Sequence, residues 1–341
     1  MAIRKGDTIL FERPPVIAAW AAAGGKKESE GPLAAGFDLL IQDAAFPEEG
    51  CANWEQAESL LQQKAVEACL RKANTSRKAV DLALAGDLQA QCTASNYTMR
   101  TLGVPFAGVY GACSTMAETL CLAAALTAGG MARQALAVTS SHFCAAERQF
   151  RTPLEYGAKR TPTAQWTATA AGACLLHSPG QQGVPVLSVT FGRVQDYEVR
   201  DINNMGAAMM PAAASTLLRY FDATGTTPAD FDAVFTGDLG RVGSTLLREQ
   251  MEKEGVPLEN HRDCGCLLYD EDTQDVQAGG SGPGCSAAVL CSHILPALQA
   301  GTYRRVLFVA TGALMSQTTF LQGESIPGIA HCVELGGEKT V

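Results

Sequence analysis

Apolar positions along this chain follow two rhythms, and the rhythms recur in the same order in each half. Continuous runs of Val, Ala and Leu read as buried strands, while runs with apolar residues three and four apart read as helices. Residues 54–73 have the helical spacing (Ala57, Leu60, Leu61, Val66, Cys69, Leu70), with charges on the opposite face. Residues 104–110 read as a strand, and the Ala- and Leu-rich run 114–126 as the helix after it. Residues 211–220 predict a helix with Pro211 in its first turn. Residues 170–176 and 184–191 predict consecutive strands that close the first half.

Two pairs of words expose a duplication. Residues 81–88 read DLALAGDL, and residues 232–239, 151 positions later, read DAVFTGDL. Cys113-Ser114 matches Cys285-Ser286, and Arg133 and Thr139 then match Arg305 and Thr311, all at an offset of 172. The difference between the offsets is absorbed by an insertion within 240–280. A repeat this long exceeds a solenoid unit, so it is read as a duplicated α/β domain with crossover helices. The predicted halves are 1–190 and 191–341, with the boundary region at 180–200.

At 341 residues the chain exceeds one hydrophobic core, which agrees with fused halves. With 47% hydrophobic and 18% charged residues, it reads as a well-packed α/β protein. A net charge of −9 argues against nucleic acid and against broad adhesion to anionic lipid. The twelve cysteines show no disulfide-framework spacing, and Cys264-Gly265-Cys266 is too tight for a zinc pair, so a reducing compartment is expected and no metal or cofactor is implied. The first residues are polar, without the apolar core of a signal peptide, and the uncharged stretches 101–117 and 161–192 are broken by Gly, Pro, Ser and Thr, so neither is expected to span a bilayer.

The sharpest chemical feature is Cys113 in Gly111-Ala112-Cys113-Ser114, at a strand-to-helix turn. Unpaired N–H groups and the helix dipole there are expected to lower the thiol's pKa, which makes Cys113 a candidate nucleophile. Of the five histidines only His142, just after an apolar strand, is placed to face a pocket; His293 and His331 read as packed or surface residues. Lys26 and Lys27 read chiefly as a solvated loop. Arg148 and Arg151 read either as an anion clamp or as partners of Glu147 and Glu155.

A duplicated α/β chain with a cysteine at a helix mouth resembles the thiolase superfamily of thiolases and ketoacyl-carrier-protein synthases, over essentially the whole length. Within it the chain resembles the stage V sporulation protein AD family of spore-forming bacteria. The words that carry this are KESEGPL at 27–33, LAGDL at 84–88, YGACST at 110–115, TSSH at 139–142, AERQFR at 146–151, AGGSG at 278–282 and ATGAL at 310–314. The resemblance implies a thiolase-like fold layered α-β-α-β-α. It also implies that a condensing enzyme would need a histidine near 236–240 and a His or Asn in the Gly-rich loop 279–286. Neither stretch holds one: the first carries Asp238 and the second Ser281. Losing one oxyanion donor costs about 10²–10³ in rate, so condensation is not expected.

The family is understood to bind dipicolinic acid, the diacid that spores accumulate with calcium. The resemblance therefore implies a non-catalytic pocket formed by Cys113, Ser114, His142, Asp238, Gly280, Ser281, Gly282 and Cys285. Its two Cys-Ser helix N-termini and Gly-rich turn would offer N–H groups to carboxylates. Asp238 suits the calcium chelate better than a bare dianion. The implied role is dipicolinate uptake into the spore and its release on germination. The implied partners are membrane proteins of the same sporulation operon, met peripherally on the cytoplasmic side of the inner spore membrane, with a homodimer as the assembly to test for. The alternatives are an acyltransferase using Cys113 on a thioester, and a structural component with an unused pocket.

Overall fold

Asp81 and Asp232, which open the two copies of the repeated word, make the same contacts. The Asp81 carboxylate accepts from the backbone N–H groups of Arg133 and Gln134 at 2.7 and 3.1 Å. The Asp232 carboxylate accepts from those of Arg304 and Arg305 at 2.6 and 2.9 Å. Each aspartate thus ties the start of one strand to the start of its neighbour. The computed structural model describes residues 2–43, 50–150 and 159–336.

The first half contributes strands β1 (Val16–Gly24), β2 (Leu82–Gly86), β3 (Phe106–Gly108), β4 (Gln134–Ser141) and β5 (Ala170–His177). The second contributes β6 (Val184–Thr190), β7 (Ala233–Thr236), β8 (His261–Asp263), β9 (Arg305–Ala313) and β10 (Gly328–Gly336). The spatial orders are β3-β2-β4-β5-β1 and β8-β7-β9-β10-β6, the same path in both halves. In each, the first three strands are parallel and the last two turn antiparallel. The halves join edge to edge where β1 meets β6 through Ile17–Val184 and Val16–Pro185.

Strand β6 therefore opens the second half and does not close the first. Its nearness in sequence to β5 suggests a hairpin, but β1 lies between them in the sheet and β6 pairs with β10. The change of halves falls in the turn between β5 and β6.

The longer helices are α1 (Trp54–Lys72), α2 (Thr93–Leu102), α3 (Thr115–Ala128) and α4 (Phe143–Phe150) in the first half, then α5 (Met205–Thr224), α6 (Gly240–Lys253) and α7 (Pro283–Val289). The N-cap of α1 is Asn53, whose side chain accepts from Gln56 N–H at 2.9 Å. Helix α5 starts six residues before Pro211, at an Asn204 cap, so the proline sits inside it and not in its first turn. The Ala- and Met-rich stretch around it is a strong enough helix former to carry the lost hydrogen bond. The predicted strand 104–110 shrinks to Phe106–Gly108, since Pro105 lacks an N–H to donate.

Helices α3 and α7 lie in the middle layer, where α3 touches strands of both halves and α7 packs on β1, β4 and β5 of the first; α1 covers the outside of the first sheet, and α5 covers the outside of the second. The layering is the expected α-β-α-β-α. Small residues let the middle layers approach: a Cβ on Gly172 of β5 would sit 2.7 Å from that of Ala287 on α7. Met116, Leu120, Cys121, Ala287 and Leu290 are buried in this central core. Among the described residues no helix is long and apolar enough to cross a membrane.

Candidate functional site

Cys113 lies immediately before Ser114, the N-cap of α3. Its turn is tightly held. Gly111 N–H donates to Thr115 Oγ1 at 3.1 Å, Thr115 Oγ1 donates to Ala112 O at 2.6 Å, and Ser114 Oγ donates to Gly111 O at 2.7 Å. Ala112 adopts φ +50°, a left-handed conformation unusual for a residue with a Cβ. The turn also rests on the second half, because a Cβ on Gly312 of β9 would overlap the Gly111 carbonyl oxygen. The thiol is thereby fixed at the seam between halves.

Across the seam stands Asp238, fully buried in the loop after β7. Its carboxylate accepts from Gly282 N–H at 2.8 Å, from Ser281 Oγ at 3.1 Å and from Thr311 Oγ1 at 3.0 Å. Cys113 Sγ is 4.0 Å from Ser281 Oγ, which in turn holds the Asp238 carboxylate. Gln165 locks the loops together, its Nε2 donating to the carbonyls of Asp238 at 2.7 Å and Gly280 at 2.8 Å.

This geometry reverses two expectations. Burial, followed by the adjacent Asp238 charge, pushes the Cys113 thiol well above its ordinary pKa, and these outweigh the helix N-terminus. The Gly-rich turn, in which Gly282 takes φ +99°, gives its Gly282 N–H to Asp238 and not to a ligand carboxylate. Burial in turn raises the Asp238 carboxyl to about 7, against the hydrogen bonds that favour its charge.

The thiol and Ser281 look into a cavity of about 60 Å³. Glu147, Thr167, Tyr110 and Leu88 complete its near side; Phe150, Met205, Met209, Ala313 and Met315 form the far wall. Among the described residues its lining includes no Lys, Arg or His. Typical ligand pockets hold about 300–1,000 Å³, so this one suits a small group and not an extended acyl chain.

Of the residues expected at the site, the structure brings together Cys113, Asp238, Ser281 and Gly282, with Gly280 held behind them by Gln165. Ser114 turns back to cap its own loop. Cys285 is fully buried in the first turn of α7 and lies behind Gly280, off the cavity. His142 lines a different depression with Lys26, Lys27 and Trp166, because the chain turns into α4 directly after β4. Lys27 is not a solvated loop residue: it lies in a short helix, donates to the Gln274 carbonyl and lies 4.3 Å from the Trp166 ring centroid. Arg148 pairs with Glu55 and not with Glu147. Arg151 and Glu155 lie outside the described residues.

Sequence reasoning missed Glu147, Thr311, Gln165 and the methionines. Thr311 was within reach, as the repeat mate of Thr139. Gln165 and the methionines left no signal, since only the fold carries them to Asp238 and Cys113.

The class follows from this architecture. Two like α/β halves around a cysteine at the mouth of a central helix make a thiolase-type fold. OleA of Xanthomonas campestris shares it at a TM-score of 0.62 and 13% identity, over 96% of this chain and 99% of that one. So does 3-oxoacyl-acyl-carrier-protein synthase III of Aquifex aeolicus VF5, at a TM-score of 0.57 and 14% identity, over 95% of this chain and 100% of that one. The profile of the family described as Stage V sporulation protein AD (SpoVAD) matches residues 5–336. The stage V sporulation protein AD of Bacillus subtilis (strain 168) is 44% identical over 335 residues, 98% of this chain and 97% of that one. The chain belongs to the stage V sporulation protein AD family, and its role is in sporulation.

Proposed function

We propose that this protein is a non-catalytic receptor for dipicolinate, which it takes as the calcium chelate, in the uptake of that diacid into the spore and its release on germination. The observation that carries this reading is Asp238 beside Cys113. A condensing enzyme needs a thiolate and a group that stabilises a developing enolate. Here burial and then the neighbouring Asp238 carboxylate raise the thiol's pKa, and the carboxylate opposes any oxyanion formed next to it.

The charge of the cavity supports the chelated form. Glu147 lines it, Asp238 lies behind Ser281, and its described lining supplies no cation to balance a bare dianion. A one-to-one calcium chelate carries no net charge, so its entry leaves no uncompensated anion in a desolvated site. The cavity's small size argues against an extended acyl chain. We extend the reading to peripheral docking on the membrane proteins of the same operon, at the inner spore membrane.

Isothermal titration of the purified protein with dipicolinate, with and without calcium, tests the proposal. Saturable binding, stronger with calcium and weakened about tenfold or more by Cys113→Ala or Ser281→Ala, is the expected result. No binding in either form, or turnover of acetyl-CoA with Cys113 acetylated, would overturn it in favour of the acyltransferase.

A further inference from the structure

The wall opposite the thiol is made of thioethers. Met205 and Met209 stand one turn apart on α5, Met315 follows β9, and all three line the cavity. Met205 and Met315 pack with Ala208, Ile326 and Phe150, Met209 belongs to the core of the second half, and Phe150 bridges to the small cluster that holds Cys113. The two sides differ in how far they can yield. Asp238 is gripped by Ser281, Gly282 and Thr311, and Gln165 ties its loop to Gly280, so that side is rigid. Methionine is unbranched, has three rotatable bonds and adapts to irregular gaps.

The volume makes this difference matter. A benzene ring occupies an engineered cavity of about 150 Å³. The present 60 Å³ is too small for a flat ring unless one wall moves.

We propose that Met205, Met209 and Met315 form the adjustable wall that receives a flat aromatic ring, and that their sulfur contacts make this site prefer an aromatic diacid to an open-chain one. The inference rests on the reading of the cavity as a dipicolinate site and adds its determinant of specificity. Each sulfur–ring contact contributes about 2- to 10-fold in affinity.

The test compares dipicolinate with iminodiacetate, which offers calcium the same two carboxylates and central nitrogen without a ring. Both are titrated in the presence of calcium into the wild-type protein and into Met205→Leu/Met315→Leu. Leucine keeps the volume but removes sulfur and stiffens the side chain. The wild type is expected to prefer dipicolinate by at least about tenfold. The double variant is expected to lose about fivefold for dipicolinate and to keep its iminodiacetate affinity, with its melting temperature within a few degrees of wild type. Equal affinity of the wild type for both ligands overturns the proposal alone, as does a double variant that keeps the full preference. Binding of neither ligand overturns the functional reading and this inference with it. If the double variant does not fold, Met315→Leu alone decides by the same ratio.

Discussion

Asp238 and Cys113, one from each half, meet at the seam through Ser281, whose hydroxyl donates to the carboxylate at 3.1 Å and lies 4.0 Å from the thiol sulfur. In a thiol enzyme the neighbour of the sulfur draws a proton from it or stabilises its anion. Asp238 does the opposite. The relationship converts a nucleophile's position into a neutral, hydrogen-bonded floor for a ligand.

Removing the charge should release the thiol. In Asp238→Asn the shape and most hydrogen bonds persist, but the second-largest cause of the raised Cys113 pKa is gone. The pH midpoint for alkylation of Cys113 by iodoacetamide is expected to fall by at least about one unit, equivalent to tenfold more thiolate at a given pH. An unchanged midpoint would mean that burial alone sets it.

Stability should decline as pH rises through neutrality. Burial raises Asp238 to about 7. Burial and the Asp87 charge raise Glu58 to about 8. Glu58 belongs to a closed ring of hydrogen bonds through Ser140, Gln62, Ser95, Asp87 and Gln89, which joins α1, α2, β4 and the loop after β2. Both groups bind a proton more tightly folded than unfolded, where carboxyls titrate near 4. Their contribution is therefore complete below that value and is lost as pH climbs to about 7 and 8. Asp7 and Asp81, whose arginine and backbone partners lower them, act in the opposite sense in acid. The difference between wild type and Glu58→Gln isolates the ring. In urea melts across pH the variant should lack the alkaline part of the decline.

Gly312 should be intolerant of a side chain. A Cβ there overlaps the Gly111 carbonyl and comes within 3.3 Å of the Cys113 nitrogen. Gly312→Ala is expected to destabilise the protein by about 1–3 kcal/mol, as overpacking does, and to displace the thiol. Thermal unfolding reads the first effect, and the alkylation rate of Cys113 reads the second.

The two halves should melt together. Helix α3 packs on strands of both sheets, and Leu120 at its centre is fully buried. Leu120→Ala is expected to cost about 2–5 kcal/mol and to lower a single calorimetric transition. Two separated transitions would show that the halves are independent folding units.

The duplication was legible because its markers are local. Asp81 and Asp232 clamp neighbouring strands in both copies, and the words around Cys113 and Cys285 sit at the start of paired helices. The ownership of β6 was not legible, because β1, distant in sequence, inserts between β5 and β6. Within the site, Cys113, Asp238, Ser281 and Gly282 were found from the places where a condensing enzyme keeps its partners. His142 was misplaced because the turn into α4 decides its direction. The thiol's pKa was misjudged because the helix N-terminus is visible in the sequence, while the buried carboxylate beside it appears only once the halves are docked.

The most direct test of the account is the rate of Cys113 alkylation, followed peptide by peptide, with and without saturating calcium dipicolinate. The account predicts slow modification at neutral pH and strong further protection by the ligand at Cys113, with little change at the partly exposed Cys51 and Cys144. Rapid modification of Cys113 that calcium dipicolinate leaves untouched would contradict it, and the cavity would revert to that of a reactive thiol enzyme.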